Sequence, residues 1–295
     1  MKKLMVAMAA ALSMCAFADE DKAAETQDSP ILWGSGSYGV YSGYQLYGSL
    51  VNREPTMQGY FEVNANLPND FGYLGAGLWS NSDLTAQRKE SYGRIFNEFD
   101  FNAHWGKTFY FDDDKAWGLE YRASVVWFYY PHHLYQRREG VYNGRVKVGT
   151  ATTVDFDHSF ALVNPYLIPY VTVVREYHEN KANLLQFGVR KPIQVNDQLS
   201  ICPFVEGVWR DDRYNWCFPT RFGMANDGTN GGVATLKLEL DATYQITECF
   251  GIFAKVAYCS VVDPDLRDNC DILDRAEYGE KKDYAWGGVG VSFRF

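Results

Sequence analysis

Residues 286–295 read Trp-Gly-Gly-Val-Gly-Val-Ser-Phe-Arg-Phe, and the last residue is a phenylalanine. Val289, Val291, Phe293 and Phe295 alternate with Gly288, Gly290, Ser292 and Arg294. Side chains along a β-strand repeat every two residues, so this segment is a strand with one apolar and one small or polar face. A soluble β-sandwich could end in the same way, and the rest of the chain has to decide between the two.

The same period recurs. From Val233 to Gln245, Leu236, Leu238, Leu240, Ala242 and Tyr244 share one face, and Lys237, Glu239, Asp241 and Thr243 share the other. A helical period would scatter both sets. Over 94–105, Phe99, Phe101, Ala103 and Trp105 oppose Glu98, Asp100, Asn102 and His104. Residues 58–67 and 117–127 alternate likewise, with Glu62 and with Glu120 and Arg122 on the polar face. Less regular strands are expected near 38–50, 71–80, 151–162, 165–176, 183–193, 198–210, 250–260 and 284–295. The expected total is twelve, with ten or fourteen if residues 143–162 are misread.

Connections sort by length. One set falls near 68–70, 107–115, 163–164, 194–197 and 246–249, and it carries turn residues such as Pro68-Asn69-Asp70, Asn164-Pro165 and Asn196-Asp197. The other falls near 51–57, 81–93, 130–150, 177–182, 211–232 and 261–283, and four of these are long. Short turns at one end and mostly long loops at the other suit a membrane barrel. Aromatic residues make up 16 % of the chain. Trp79, Trp127, Trp209, Tyr258 and Trp286 are expected near one rim, and Trp105, Trp117, Tyr244 and Phe293 near the other, as two interfacial girdles.

Residues 1–18 read as a secretory signal: Lys2 and Lys3, an apolar stretch from Leu4 to Met14, and Ala16-Phe17-Ala18 for cleavage. Residues 19–30 form a polar, acidic leader expected to be disordered, and 31–295 form the body. Losing the signal, with its two lysines and no acid, takes the formal net charge from −9 to −11. That balance argues against nucleic acid as a partner. No run of 18 apolar residues follows, so a membrane-spanning form has to be a closed barrel. Five of the six cysteines lie beyond the signal, and a disulfide between Cys217 and Cys270 is expected from their placement in loops on one side. No Cys or His spacing points to a metal, and no cofactor is expected.

Charged residues cannot face lipid cheaply, so the polar faces have to line a lumen. The candidate lining acids are Glu62, Glu98, Asp100, Glu120, Glu239 and Asp241. The candidate bases are Arg122, Arg190, Lys237 and Lys255. Asp155, Asp157, Glu176 and Arg294 belong to the same inward set.

An alternating last strand with a terminal Phe resembles that of bacterial outer-membrane β-barrel proteins. In that resemblance Val289, Val291, Phe293 and Phe295 form the signal read by the barrel assembly machinery. The order Gly75-Ala-Gly-Leu-Trp-Ser-Asn-Ser-Asp83, then Asn97-Glu-Phe-Asp-Phe101, then Trp127-Phe-Tyr-Tyr-Pro131 resembles the TorF-type porin family over about residues 38–131. Tyr47-Gly48 lacks the arginine that this family places before the glycine. The resemblance implies an all-β, transmembrane, antiparallel up-and-down barrel in the outer membrane of a Gram-negative bacterium. It also implies a channel, with Glu98 and Asp100 as its lumenal acids. The expected function is a narrow, weakly cation-preferring channel for small hydrophilic solutes or ions, embedded in outer-membrane lipid. The alternative is a sealed structural or adhesive surface barrel that works through its long extracellular loops. No enzyme is expected: His158 and Ser159 are adjacent on a strand and so point to opposite faces.

If the terminal strand is the assembly signal, deleting Phe295 or replacing it with Asp blocks insertion. Outer-membrane fractionation and heat-modifiable gel mobility measure this, and wild-type levels of the truncated protein would show the reading to be wrong.

Overall fold

This computed structural model of the protein describes residues 31–52, 54–84, 98–129, 152–177, 181–217, 230–275 and 281–295. The expected signal (1–18) and leader (19–30) lie outside them.

Twelve strands form the wall. They are β1 (Leu32–Tyr41), β4 (Thr56–Asn66), β5 (Tyr73–Asp83), β6 (Glu98–Tyr110), β7 (Gly118–Tyr129), β8 (Thr152–Val163), β9 (Ile168–Glu176), β10 (Asn183–Arg190), β12 (Leu199–Arg210), β13 (Gly232–Gln245), β14 (Phe250–Val261) and β15 (Asp283–Arg294). The two-residue β11 (Ile193–Gln194) extends the hairpin between β10 and β12. Every wall strand runs antiparallel to its chain neighbour in the wall, and β1 pairs with β15. The β10–β12 pairing completes the circuit, with Leu184 opposite Arg210 and Arg190 opposite Phe204. The fold is a closed, all-β, up-and-down barrel. Closure gives each strand two partners and leaves no open edge.

Exposure follows the alternation. Leu236, Leu238 and Leu240 are 46 %, 58 % and 43 % exposed, whereas the side chains of Lys237 and Glu239 between them are 12 % and 6 % exposed. Val40, Leu74, Phe101, Val125, Phe156, Val173, Phe187, Val205, Leu238, Val256 and Val289 each stand exposed on a different wall strand. Water would penalise such a continuous apolar belt, and lipid accepts it. The barrel is transmembrane, and no described helix is long and apolar enough to cross a bilayer.

The turns at one end are short. At 67–72, Asn69 and Asp70 take φ of 56° and 57° and Gly72 takes 84°. At 164–167, Asn164 Oδ1 accepts from the amides of Tyr166 and Leu167 at 2.9 and 3.1 Å. At 246–249, the Thr247 hydroxyl oxygen accepts from the amide of Phe250 at 3.0 Å. These are local side-chain and backbone solutions that the sequence predicts.

The first strand corrects the sequence reading. It spans Leu32–Tyr41 rather than 38–50. The chain then makes a small separate hairpin, β2 (Tyr44–Leu46) and β3 (Ser49–Asn52), before the wall resumes at Thr56. Two girdle assignments also change. Trp79 packs on Tyr44 with ring centroids 5.2 Å apart, and Trp286 packs against the Leu50, Cys259 and Tyr284 cluster. Both face inward, where the hairpin gives their rings something to cover. Trp127 and Tyr258 are 45 % and 48 % exposed on the outside, and Trp117 and Tyr244 are exposed toward the other rim.

Leu238 sits midway along β13, opposite Val205 and Tyr258. Leu238→Arg should therefore cost about 2–4 kcal/mol, and Phe101→Arg, nearer the end of β6, should cost less. Asp100→Asn should leave the barrel nearly as stable as before. Denaturant titration of vesicle-reconstituted protein measures all three, and equal damage at Leu238 and Asp100 would contradict the facing.

Candidate functional site: the barrel interior

The β2–β3 hairpin lies inside the barrel at the end opposite the short turns. Its turn is Tyr47-Gly48, with φ of 47° and 79°, both left-handed. Two positive φ angles at the centre of a two-residue turn give a twist that matches antiparallel strands. Gly48 is also a close approach, because a Cβ there would run into the Thr235 side chain of β13.

The hairpin touches walls around the whole circumference. Tyr44 meets Trp79 of β5. The Tyr47 hydroxyl donates to Asp155 Oδ2 of β8 at 3.2 Å. Arg210 of β12, which is 1 % exposed, donates to the Tyr47 carbonyl. The Gly48 carbonyl accepts from the Tyr284 hydroxyl of β15 at 3.2 Å and from the Cys259 thiol of β14 at 3.7 Å. These contacts satisfy the turn's outward carbonyls, which would otherwise be stranded away from bulk water. Leu50 completes the anchor against Cys259 and Tyr284.

Two helices flank this end. The short α1 (Asp212–Cys217) follows β12, and its Tyr214 packs edge-on to Tyr47 with centroids 6.0 Å apart. Tyr214 also joins Val174, Ala182, Leu184 and Val208 in a buried cluster. α2 (Pro264–Arg275) places Leu266 and Cys270 against Ala234 and Val261. The Cys217 side chain lies outside the described residues, so the expected Cys217–Cys270 pairing stands as a proposal.

Below the hairpin the inward faces carry two charged networks. In the first, Arg122 reaches Glu62 at 3.3 Å and His104 Nδ1 at 3.0 Å. His104 Nε2 lies 2.7 Å from Asn64 Oδ1, and Tyr60 donates to Glu62. In the second, Lys237 lies 3.2 Å from Glu206 and 3.1 Å from Glu239, and Lys255 lies 2.9 Å from Glu239 and 3.4 Å from Asp241. Tyr170 donates to Glu206 at 2.5 Å and stacks on Phe204, over which Lys237 sits at 4.8 Å. Glu206 and Arg210 were absent from the expected lining set, whereas His104 and Asn64 lie on the polar faces expected to be inward. Glu206 and Arg210 share the inward face of β12 with Val208, and β12 alternates too irregularly in sequence to reveal it.

A third group stands apart. Glu98 and Asp100 on β6, Asp155 and Asp157 on β8, and Glu176 on β9 face inward near the hairpin. Glu120 and Arg190 occupy inward positions near the short-turn end. On the outer wall His158 Nδ1 bonds the Tyr121 hydroxyl at 2.8 Å, while Ser159 bonds Thr172 inside at 2.8 Å. The two adjacent residues therefore do face opposite ways. Among the described residues, no group of three or more His, Cys, Asp or Glu could hold a metal ion.

At the closing seam Val289, Val291 and Phe293 of β15 pair with Val40, Tyr38 and Gly36 of β1, and Phe295 exchanges backbone hydrogen bonds with Gly34 at 3.0 and 3.1 Å. Phe61 stacks on Phe295, with centroids 6.3 Å apart.

No protein-family model matches this sequence, and no curated protein does, so the resemblance to TorF-type porins gains no support there. Among solved structures, the NanC porin is 10 % identical with a TM-score of 0.48, over 88 % of this chain and 98 % of that one. An outer membrane channel from Pseudomonas putida F1 is 10 % identical with a TM-score of 0.47, over 94 % and 100 %. Outer membrane phospholipase A from Escherichia coli is 12 % identical with a TM-score of 0.46, over 88 % and 92 %.

Gly48→Val should unseat the hairpin without opening the wall, since it forces a β-branched residue to positive φ and into Thr235. Limited proteolysis of the reconstituted variant should cut within 42–55 while heat-modifiable mobility persists. An uncut hairpin would contradict this anchoring.

Proposed function

We propose that this protein is an outer-membrane channel that passes small hydrophilic solutes or ions, with the β2–β3 hairpin as its constriction. The observation that carries the reading is the charged inward face. It runs from Asp100 and Asp155 beside the hairpin, through Glu62, Arg122, Lys237, Glu239, Lys255 and Asp241, to Glu120 and Arg190 near the short turns. Twelve strands enclose more space than the eight that side chains fill. The apolar outer belt supports a place in lipid, and the alternating last strand supports insertion by the barrel assembly machinery.

The lining holds more acids than bases, so conduction should favour cations. The preference should be weak, because Arg122, Lys237 and Lys255 already neutralise much of the wall. No catalytic role is proposed: Ser159 bonds Thr172 inside, away from the outward His158.

A second reading rests on the hairpin itself. Its contacts reach β5, β8, β12, β14 and β15, enough to seal the barrel and leave a surface protein acting through its loops. Planar-bilayer recordings separate the two. A channel gives small conductance that grows when residues 44–52 are replaced by a short Gly-Ser linker. Its reversal potential in a KCl gradient should show cation preference that weakens in Glu98→Gln/Asp100→Asn. That preference should fade as the Debye length drops from about 10 Å at 0.1 M salt to about 3 Å at 1 M. Anion preference would overturn the charge assignment, and silence from well-folded protein would establish the sealed barrel.

A further inference from the structure

We propose that Arg175, Lys181 and Arg213 dock the phosphate groups of lipopolysaccharide on the outside of the wall, at the end opposite the short turns. The site lies on the lipid side of the barrel and does not depend on whether the barrel conducts.

The alternation decides which way Arg175 faces. In β9, Val174 is buried inside and Val173 is exposed to lipid, so Arg175 takes the outer address. It stands opposite Phe156 of β8 and Asn183 of β10, whose neighbours Asp155 and Leu184 are buried inside. Arg175 is next to the last residue of β9, at the end away from the short turns. In an outer-membrane barrel that end is the outer surface.

A chain of hydrogen bonds draws the three bases together. Arg175 Nη1 donates to Asn183 Oδ1 at 2.7 Å, and its guanidinium sits 5.6 Å from the centre of the Tyr177 ring. The Asn183 side chain donates to Asp211 Oδ2 at 2.8 Å, just before α1. Arg213 of that helix donates to the Lys181 carbonyl at 3.4 Å. Lys181 and Arg213 are both exposed. The nearby acids leave the bases in the majority. Asp211 is turned to the amides of Asn183 and Tyr214, at 2.7 and 2.8 Å. Glu176 is buried, and its two oxygens accept from Thr153 and from the Lys181 amide. Asp212 is exposed, with three bases against it.

Below the bases the outer wall is aromatic. Phe156 and Tyr177 meet edge to face with centroids 4.8 Å apart, and Trp127 and Phe101 stand exposed on the strands beyond. Such rings mark the membrane–water interface, and an arginine beside them lays its stem on apolar surface while its head reaches the headgroups. Clustered bases at this level attract anionic headgroups, and a guanidinium offers phosphate a two-pronged donor. Lipopolysaccharide is the phosphorylated lipid of the outer leaflet, so a phosphate at this depth on this side belongs to it.

The test uses refolded full-length protein in detergent, incubated with lipopolysaccharide and washed. Native mass spectrometry counts the lipid retained, and the unfolding temperature is read alongside. Wild type should retain the lipid and unfold at a higher temperature with it, and should retain the same lipid stripped of phosphate far less. Arg175→Gln/Arg213→Gln should weaken retention roughly twenty-five-fold, about fivefold for each base. Lys115→Gln/Lys191→Gln, at the short-turn end, should retain as much as wild type. If the first double variant does not fold, the phosphate-stripped lipid makes the comparison on wild-type protein. Equal retention of the stripped lipid overturns the site, as does undiminished retention in the folded Arg175/Arg213 variant or an equal loss in the Lys115/Lys191 variant. Displacement of the lipid by inorganic phosphate at the same concentration would assign the bases to free phosphate and overturn the lipid docking.

Discussion

A backbone amide in hydrocarbon has no solvent partner, and the whole architecture follows from that one requirement. Twelve strands meet it only because the sheet returns on itself, with β1 held between β4 and β15. Once the circuit is closed, every residue has one of two addresses, lipid or interior, and the period of two assigns them. Leu238 and Glu239 are neighbours in sequence and face opposite media. The seam also shows why small residues matter there. Gly34 and Gly36 of β1 lie under the rings of Phe295 and Phe293, which a Cβ would displace.

The hairpin is the exception to this two-address scheme. Its backbone has neither lipid nor a wall ladder to satisfy it, so it draws on side chains of the wall. Arg210, Tyr284 and Cys259 all aim at the carbonyls of Tyr47 and Gly48. These three donors hold the turn's carbonyls, alongside the Tyr47–Asp155 bond and the ring contacts of Tyr44 and Tyr47. That convergence explains why large inward side chains such as Trp79, Trp286 and Tyr44 gather at this end, while the other end carries compact turns.

The wall was legible because alternation, turn chemistry and loop length agree with one another. Pro68-Asn69-Asp70 and Asn164-Pro165 announce their turns through residue types that tolerate left-handed backbone or bond it locally. The hairpin was not legible. Tyr-Gly lacks the asparagine or aspartate that usually marks a turn with two positive φ angles, and Tyr44-Gln-Leu46 alternates as well as a wall strand does. Reading 38–50 as one strand was the natural error, because nothing local says that the chain leaves the wall at Ser42. The interior partners were hidden for another reason. Arg122 meets Glu62, sixty residues away in sequence, and that pairing depends on how strands separated in the sheet lean together across the lumen.

Register alone explains one charged wall and leaves the other unexplained. Glu206 stands opposite Lys237, and Asp241 opposite Lys255, so β12, β13 and β14 neutralise themselves by ordinary cross-strand pairing. On the far side the same rule sets Asp155 against Glu176 and puts only Phe128, Val126 and Ser124 between β6 and β8. A sheet whose strands could slip would not keep such an arrangement. Here a slip by one residue would turn Phe156, Phe160 and their neighbours into the interior and carry the acids into lipid, a far greater cost. The apolar belt therefore locks the register, and the locked register forces the like charges together. Among the described residues their compensation is local: Thr153 of β8 and the Lys181 amide donate to Glu176, and the hairpin's Tyr47 hydroxyl donates to Asp155.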